Sequence, residues 1–293
     1  MKASFYLFAA AAWMLAACSS DMKEEVTNEV MAPVTVRLSG FTIEQDEIPT
    51  RATAVGSYSG VKTLILAFYK TSDGSEVYKH TQIRTDATTF TTFGEFSTTL
   101  PVGDYTMVVI GHGGNNTLTL TSPTEATYGT YLVQDTFLAT QAVTVSNGSA
   151  QNLSATLNRI TSALAVQSTD TRPAEVTHMR FTYGAGGKGF SPATGLASTN
   201  TGFVNLVNHT GSAGTTTYTG GMLFLISDSQ TMDVTIETLD ANSQVVFTKT
   251  ITDVPLKRNR VTKLTGAVYS NTSVSASSFQ INETWLDDYN VNF

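Results

Sequence analysis

The 293-residue chain has a single cysteine, so neither an intrachain disulfide nor a cysteine-built metal centre is open to it. Charge is sparse as well: charged residues are 14% of the total, against about 25% in an ordinary soluble domain. Basic residues are the minority, with 17 Lys and Arg against 24 Asp and Glu and a net charge of −7. That balance argues against a nucleic-acid partner, because phosphate neutralisation needs a basic face. Past the N-terminal leader no long window carries the helical apolar period, which excludes bundles and coiled coils. What remains is strand and turn material. Hydrophobic residues are 41% and aromatics 10%, set among Thr, Ser, Gly and Asn, the residues of strands and turns.

The first residues are laid out for export. Lys2 precedes an apolar run from Phe5 to Ala17. The run falls short of the roughly 20 residues that span a bilayer; with small residues at its end it reads as a signal segment over residues 1–17. Leu15-Ala16-Ala17-Cys18 resembles a bacterial lipobox, which implies that Cys18 is acylated and becomes the first mature residue. Acyl chains on that residue would hold the protein to the outer membrane. The polar stretch Ser19 to Glu25 resembles a surface-export signal and would also serve as a flexible tether.

Beyond it, short strands alternate with turns. Val34, Val36 and Leu38 alternate with other residues, a strand signature, and Glu44 to Pro49 breaks that pattern. Arg51 then falls in an expected loop running to Gly60. Thr63 to Tyr69 reads as a buried strand, with Glu76 to Arg84 as its hairpin partner. Further strands are expected over Gly94–Leu100, Tyr105–Ile110, two short pieces within Val133–Val145, and Gln151–Leu157. A second set starts near Arg159 and includes Val176–Tyr183, Met232–Leu239, Gln244–Ile251 and Val261–Val268. Many short strands with regular turns predict an all-β fold of two sandwiches in tandem. The expected limits are a tether with an N-terminal strand over residues 18–51 and sandwiches over 52–157 and 158–293.

No pattern suggests catalysis. Gly184 to Gly189 satisfies the spacing of a dinucleotide loop, but Phe190-Ser191-Pro192 follows where a helix should start; a flexible loop is expected. His80, His112, His178 and His209 share no metal-ligand spacing. No catalytic residue, cofactor or metal is expected, and the chain does not read as an enzyme.

The two ends are more informative. Phe279, Ile281, Trp285, Tyr289, Val291 and Phe293 all occupy odd positions, interrupted by Glu283 and Asp287. An extended segment would place them on one face. Such a strand either pairs within its own domain or adds to the sheet of another subunit. At the other end, a trypsin-like cut after Arg51 would remove the first strand. The sheet would then present unpaired backbone groups and an apolar groove. An ordinary loop arginine is the alternative.

The chain resembles the fimbrillin superfamily, the type V pilus subunits. The resemblance rests on the lipobox ending at Cys18, on Thr50-Arg51-Ala52, and on Leu100-Pro101-Val102-Gly103-Asp104-Tyr105. Leu157-Asn158-Arg159-Ile160 and Val254-Pro255-Leu256-Lys257-Arg258-Asn259 complete it. It implies two transthyretin-like β-sandwich domains, lipoprotein export, an Arg-specific protease cutting between Arg51 and Ala52, and assembly with other fimbrial subunits by strand exchange. The family also holds uncut anchor subunits. Expected partners are therefore other fimbrial subunits, the outer membrane, the protease, and a receptor on a host or bacterial surface. The alternatives are an uncut anchor or tip adhesin, and a surface glycan-binding lipoprotein, which would need a cluster of exposed aromatics.

Overall fold

The computed structural model describes residues 29–45, 48–53, 58–85, 92–130, 132–208, 218–276 and 280–283. They contain no α-helix and twenty-one strands, so the all-β fold class is what the structure shows.

The largest sheet runs β2 (Ile48–Thr53), β1 (Met31–Gln45), β10 (Gln151–Arg159), β9 (Thr136–Val145), β6 (Gly103–His112), β3 (Thr63–Lys70) and β4 (Glu76–Ile83). The eighth strand, β5 (Glu95–Pro101), also pairs with β1. The sheet folds over on itself where the β10–β9 pairing narrows to Asn158 opposite Leu138 and Arg159 opposite Phe137. On the far side, the buried Gln82 amide of β4 stitches the layers. Its Nε2 donates to the Glu95 carbonyl at 2.7 Å, and its Oε1 accepts from the Gly94 N–H at 2.9 Å.

Alternation explains the core. Leu64, Leu66 and Phe68 of β3 and Met107 and Val109 of β6 point inward against Val34, Val36, Phe96 and Leu157. The intervening Ile65, Ala67, Tyr69, Val108 and Ile110 face a second apolar layer. Both strands are thus buried on two faces, which is why Thr63 to Tyr69 reads as a continuous apolar run rather than an alternating one.

A second pair of sheets follows. One holds β16 (Tyr218–Leu223), β11 (Ser162–Ser168), β19 (Val261–Gly266) and β21 (Gln280–Glu283). The other holds β15 (Phe203–Asn208), β12 (His178–Tyr183), β17 (Ser229–Leu239), β18 (Val245–Lys257) and β20 (Thr272–Ser275). Leu164, Val166, Phe181, Val234, Ile236, Ile251 and Leu264 form the core between them.

A fourth sheet draws on both halves: β14 (Leu196–Ala197), β13 (Gly189–Ser191), β8 (Glu125–Tyr128) and β7 (Leu118–Ser122). Phe224 sits under it, 4.6 Å from Phe190 and stacked on Tyr128 at 6.3 Å between ring centroids. These rings weld the halves together over the outer face of β3 and β6.

Several expectations change. Extended pairing continues on both sides of residues 46–47: β1 runs to Gln45, and β2 folds back on it with Ile43 opposite Arg51 and Thr42 opposite Ala52. Arg51 is therefore a strand residue at the margin of the sheet, not a loop residue; backbone pairing with β1 outweighs the acidic interruption. The two short pieces expected in 133–145 are the single strand β9, held by ten residue pairs to β6. Nor is Gly184 to Gly189 a free loop. Gly186, at φ 71°, and Gly187 are buried, and Gly187 bridges Phe224.

Candidate functional site

The most distinctive feature is the place of the first strand. Over Met31–Arg37, β1 lies between two partners, antiparallel to β5 and, from Val34, parallel to β10. From Phe41 onward β2 takes over the β5 side. Two backbone bonds fix its margins: the Val102 N–H donates to the Val30 carbonyl at 2.8 Å, and the Leu38 N–H to the Gly94 carbonyl at 2.9 Å.

Ala32, Val34 and Val36 point into the core at 0–1% exposure. The register then shifts between Leu38 and Gly40. This bulge puts Phe41, an odd-numbered residue, on the inward face beside even-numbered neighbours. Its ring is wholly buried in an aromatic socket, 5.1 Å from Phe137 and 5.5 Å from Tyr58. Gly111 makes the room. A Cβ there would stand 3.2 Å from Phe41, Leu64 and Leu157 at once.

Next to the socket is a buried charge cluster. Arg159 ends β10, and its guanidinium grips Asp135 with both forks: Nε donates to Oδ1 at 2.8 Å and Nη2 to Oδ2 at 2.9 Å. The Arg159 side chain is 1% exposed, and Phe137 covers it 4.9 Å away, ring centroid to guanidinium carbon. Nη2 also donates to the Tyr58 hydroxyl at 2.9 Å, and that hydroxyl donates to Asp135 Oδ2 at 3.3 Å. Burial first, and then the Asp135 charge, push the Tyr58 phenol above its ordinary value. It stays protonated, a hydrogen-bond partner rather than an acid. Thr161 donates to Asp135 Oδ1 at 3.2 Å, and its carbonyl accepts from the Asn259 N–H at 2.8 Å. The cluster thus links the β1 socket to the strands that begin the second half. A pair buried this deeply is tolerable because it is bidentate and further hydrogen-bonded.

The quoted sequence stretches find separate places. Leu157 to Ile160 supplies Arg159. Lys257, Arg258 and Asn259 meet Asn158, Thr140 and Thr194 across a polar groove of about 640 Å³ between the halves. In Leu100 to Tyr105, the Tyr105 hydroxyl donates to the Pro101 carbonyl at 2.7 Å and locks the β5–β6 corner.

Of the expected site residues, Arg51 and Ala52 lie in β2, and Ile281 lies in β21 opposite Leu264. Cys18, Phe279, Trp285, Tyr289, Val291 and Phe293 lie outside the described residues. Sequence reasoning gave no role to Phe41, Tyr58, Asp135 or Arg159. Phe41 was hidden by the bulge, which breaks the alternation. The other three carry no local spacing signal, since Tyr58 and Arg159 are 101 residues apart. Among the described residues no group of three His, Cys, Asp or Glu is placed to hold a metal. Among the described residues the exposed large apolar side chains are Val30, Met31, Ile83, Val102, Leu206, Ile226 and Val245, none of them aromatic.

Residues 115–292 match a family described as one of unknown function, DUF6562. The chain belongs to that family. No curated sequence matches it. Among solved structures, it is similar to two adhesin candidates from Bacteroides ovatus. One is 11% identical over 82% of this chain and 88% of its own, with a TM-score of 0.51. The other is 12% identical over 74% of this chain and 77% of its own, with a TM-score of 0.50. The fimbrial anchor protein Mfa2 from Porphyromonas gingivalis aligns at 11% identity over 80% of this chain and 91% of its own, with a TM-score of 0.46. The two Bacteroides ovatus structures show a likeness of fold alone.

Proposed function

We propose that this DUF6562 protein is a non-enzymatic subunit of a surface fimbria, exported as a Cys18-acylated outer-membrane lipoprotein and assembled by β-strand exchange. An Arg-specific protease cuts between Arg51 and Ala52, β1 departs with the lipid, and a strand of another subunit takes its place. The two packs of sheets act as tandem transthyretin-like sandwich domains, with limits near 52–157 and 158–293. Adhesion to a host or bacterial surface receptor is the end served, in line with the description of the Bacteroides ovatus proteins.

The observation that carries the reading is the placement of β1. The first described strand ends at Gln45, six residues before Arg51, and lies between β5 and β10, so its removal leaves a specific vacancy. β5 and β10 would each lose a row of backbone partners, and the core would lose Ala32, Val34, Val36 and Phe41. Unpaired edges beside an apolar groove are a template for an added strand.

Arg51→Ala tests it in cells. The expected product is full-length, acylated and unassembled; ordinary filaments built from that variant would refute the cleavage step. Pairing of Arg51 within β2 favours one second reading, the uncut anchor or tip adhesin that keeps β1 in place. N-terminal sequencing of surface-shed protein separates the two, with Ala52 first in the cut form.

A further inference from the structure

The slot around β1 states what its occupant must look like. Four inward positions of β1 stand opposite alternate residues of β10: Val34 faces Gln151, Val36 faces Leu153, Leu38 faces Ala155 and Phe41 faces Leu157. Val34, Val36 and Phe41 are 0–1% exposed, and Leu38 is partly buried. The last position is shaped for a ring: Gly111 clears the space, and Tyr58 and Phe137 line it. An occupant therefore runs parallel to β10 and carries apolar side chains of about valine size at three alternate positions. It closes with an aromatic ring at its C-terminal end.

The C-terminal segment of this chain does not meet that demand: with Phe279 in the ring socket, the strand needs residues 272–275, which already pair with β18. With Phe293 in the ring socket, the positions behind it take Val291, Tyr289 and Asp287, and Asp287 replaces the buried Val34. With Tyr289 there, Glu283 replaces Val34. With Trp285 there, the strand needs residues 280–283, which already pair with β19. Copying the bulge of β1 does no better: Phe293 is then backed by Asn290 and Asp288, Tyr289 by Thr284 and Asn282, Trp285 by Asn282 and Gln280. A carboxylate in a dry core without a partner is strongly disfavoured.

We propose that the β1 slot is built for a strand from a different subunit, aromatic-ended and free of inward acids, and that this chain does not polymerise with itself. The proposal rests on the strand-exchange reading above and names the partner of that site. It makes the protein an obligately heterotypic member of its assembly. The residue facing Leu157 sets the register of the incoming strand.

The test uses the full mature chain cut after Arg51 with an Arg-specific protease, the single cut being verified by intact mass. Three labelled peptides compete for the slot: Met31–Gln45, the same peptide with Phe41→Ala, and Gln280–Phe293. The first should enter, the second should bind about 100-fold more weakly, and the third should not compete. The cut protein alone should sediment as a monomer. Entry of the C-terminal peptide as tight as that of Met31–Gln45, or self-assembly of the cut protein, overturns the heterotypic proposal while leaving strand exchange intact. Equal binding of the Phe41→Ala peptide overturns the ring socket. Failure of every peptide, Met31–Gln45 included, to enter overturns strand exchange itself and the proposal with it.

Discussion

The first and last described strands make opposite bargains with the fold. β1 is fifteen residues long and touches three partner strands, β2, β5 and β10. β21 is four residues long and pairs only with β19, at the margin of its sheet. The strand that the proposed cut would release is thus one that contributes Ala32, Val34, Val36 and Phe41 to the first core. Strand length and partner number decide this, since each inward side chain fully buried is worth roughly 1.5–3 kcal/mol. A terminal strand with one partner can leave without opening a core; a central strand cannot.

The widest contrast comes from trimming each end. A chain starting at Ala52 should lose amide-exchange protection along β5 and β10, whereas one ending at Ala276 should keep it there. The reverse outcome would break the comparison. Next come the anchors of the β1 slot. Arg159→Ala leaves Asp135 buried without its partner and should cost about 3–5 kcal/mol in denaturant unfolding. Arg159→Lys loses the fork geometry and should recover only part of that. Phe41→Ala should cost about 3–5 kcal/mol by the same measurement. Gly111→Ala crowds three side chains at 3.2 Å and should cost about 1–3 kcal/mol. Pairing it with Phe41→Leu should cost less than the sum of the two single changes, because they share one space.

A pH effect follows from the far end of β6. Burial holds the His112 imidazole below its ordinary value of 6.5, against an opposing hydrogen bond with the Gly113 carbonyl. As pH falls through 6.5, the unfolded chain takes up a proton that the buried ring resists. Stability is therefore full above that value and drains away towards acid. His112→Gln should flatten the slope of melting temperature between about pH 7 and pH 5. The smallest effect belongs to the rim of β1. Arg37 and Glu95 pair at 3.0 Å, but the arginine side chain is 63% exposed, so Arg37→Ala should leave the denaturant midpoint nearly unchanged.

Much of this architecture was legible in the sequence for one reason: alternation survives wherever a strand has one wet face. β12 and β17 show it directly, and the doubly buried β3 shows it as an unbroken apolar run. What escaped was non-local. The pairs β7–β8 and β13–β14 are short, sit in polar stretches and gain their place from Phe224, which lies far away in sequence. β2 looked like a loop because its partner, the far end of β1, lies behind an acidic segment. At the site itself, Arg51 was visible as chemistry and misread as structure, while Phe41 was invisible because one bulged residue reversed its face. The Arg159 cluster could only appear once the chain had brought Tyr58, Asp135 and Thr161 to the same place.

Intact-mass and peptide analysis of assembled protein stripped from the cell surface tests the replaceable first strand most directly. The account predicts subunits that begin at Ala52, with peptides from Met31–Arg51 missing and a foreign strand cross-linked beside β10. Assembled subunits that all retain Met31–Arg51 in its place beside β10 would contradict it.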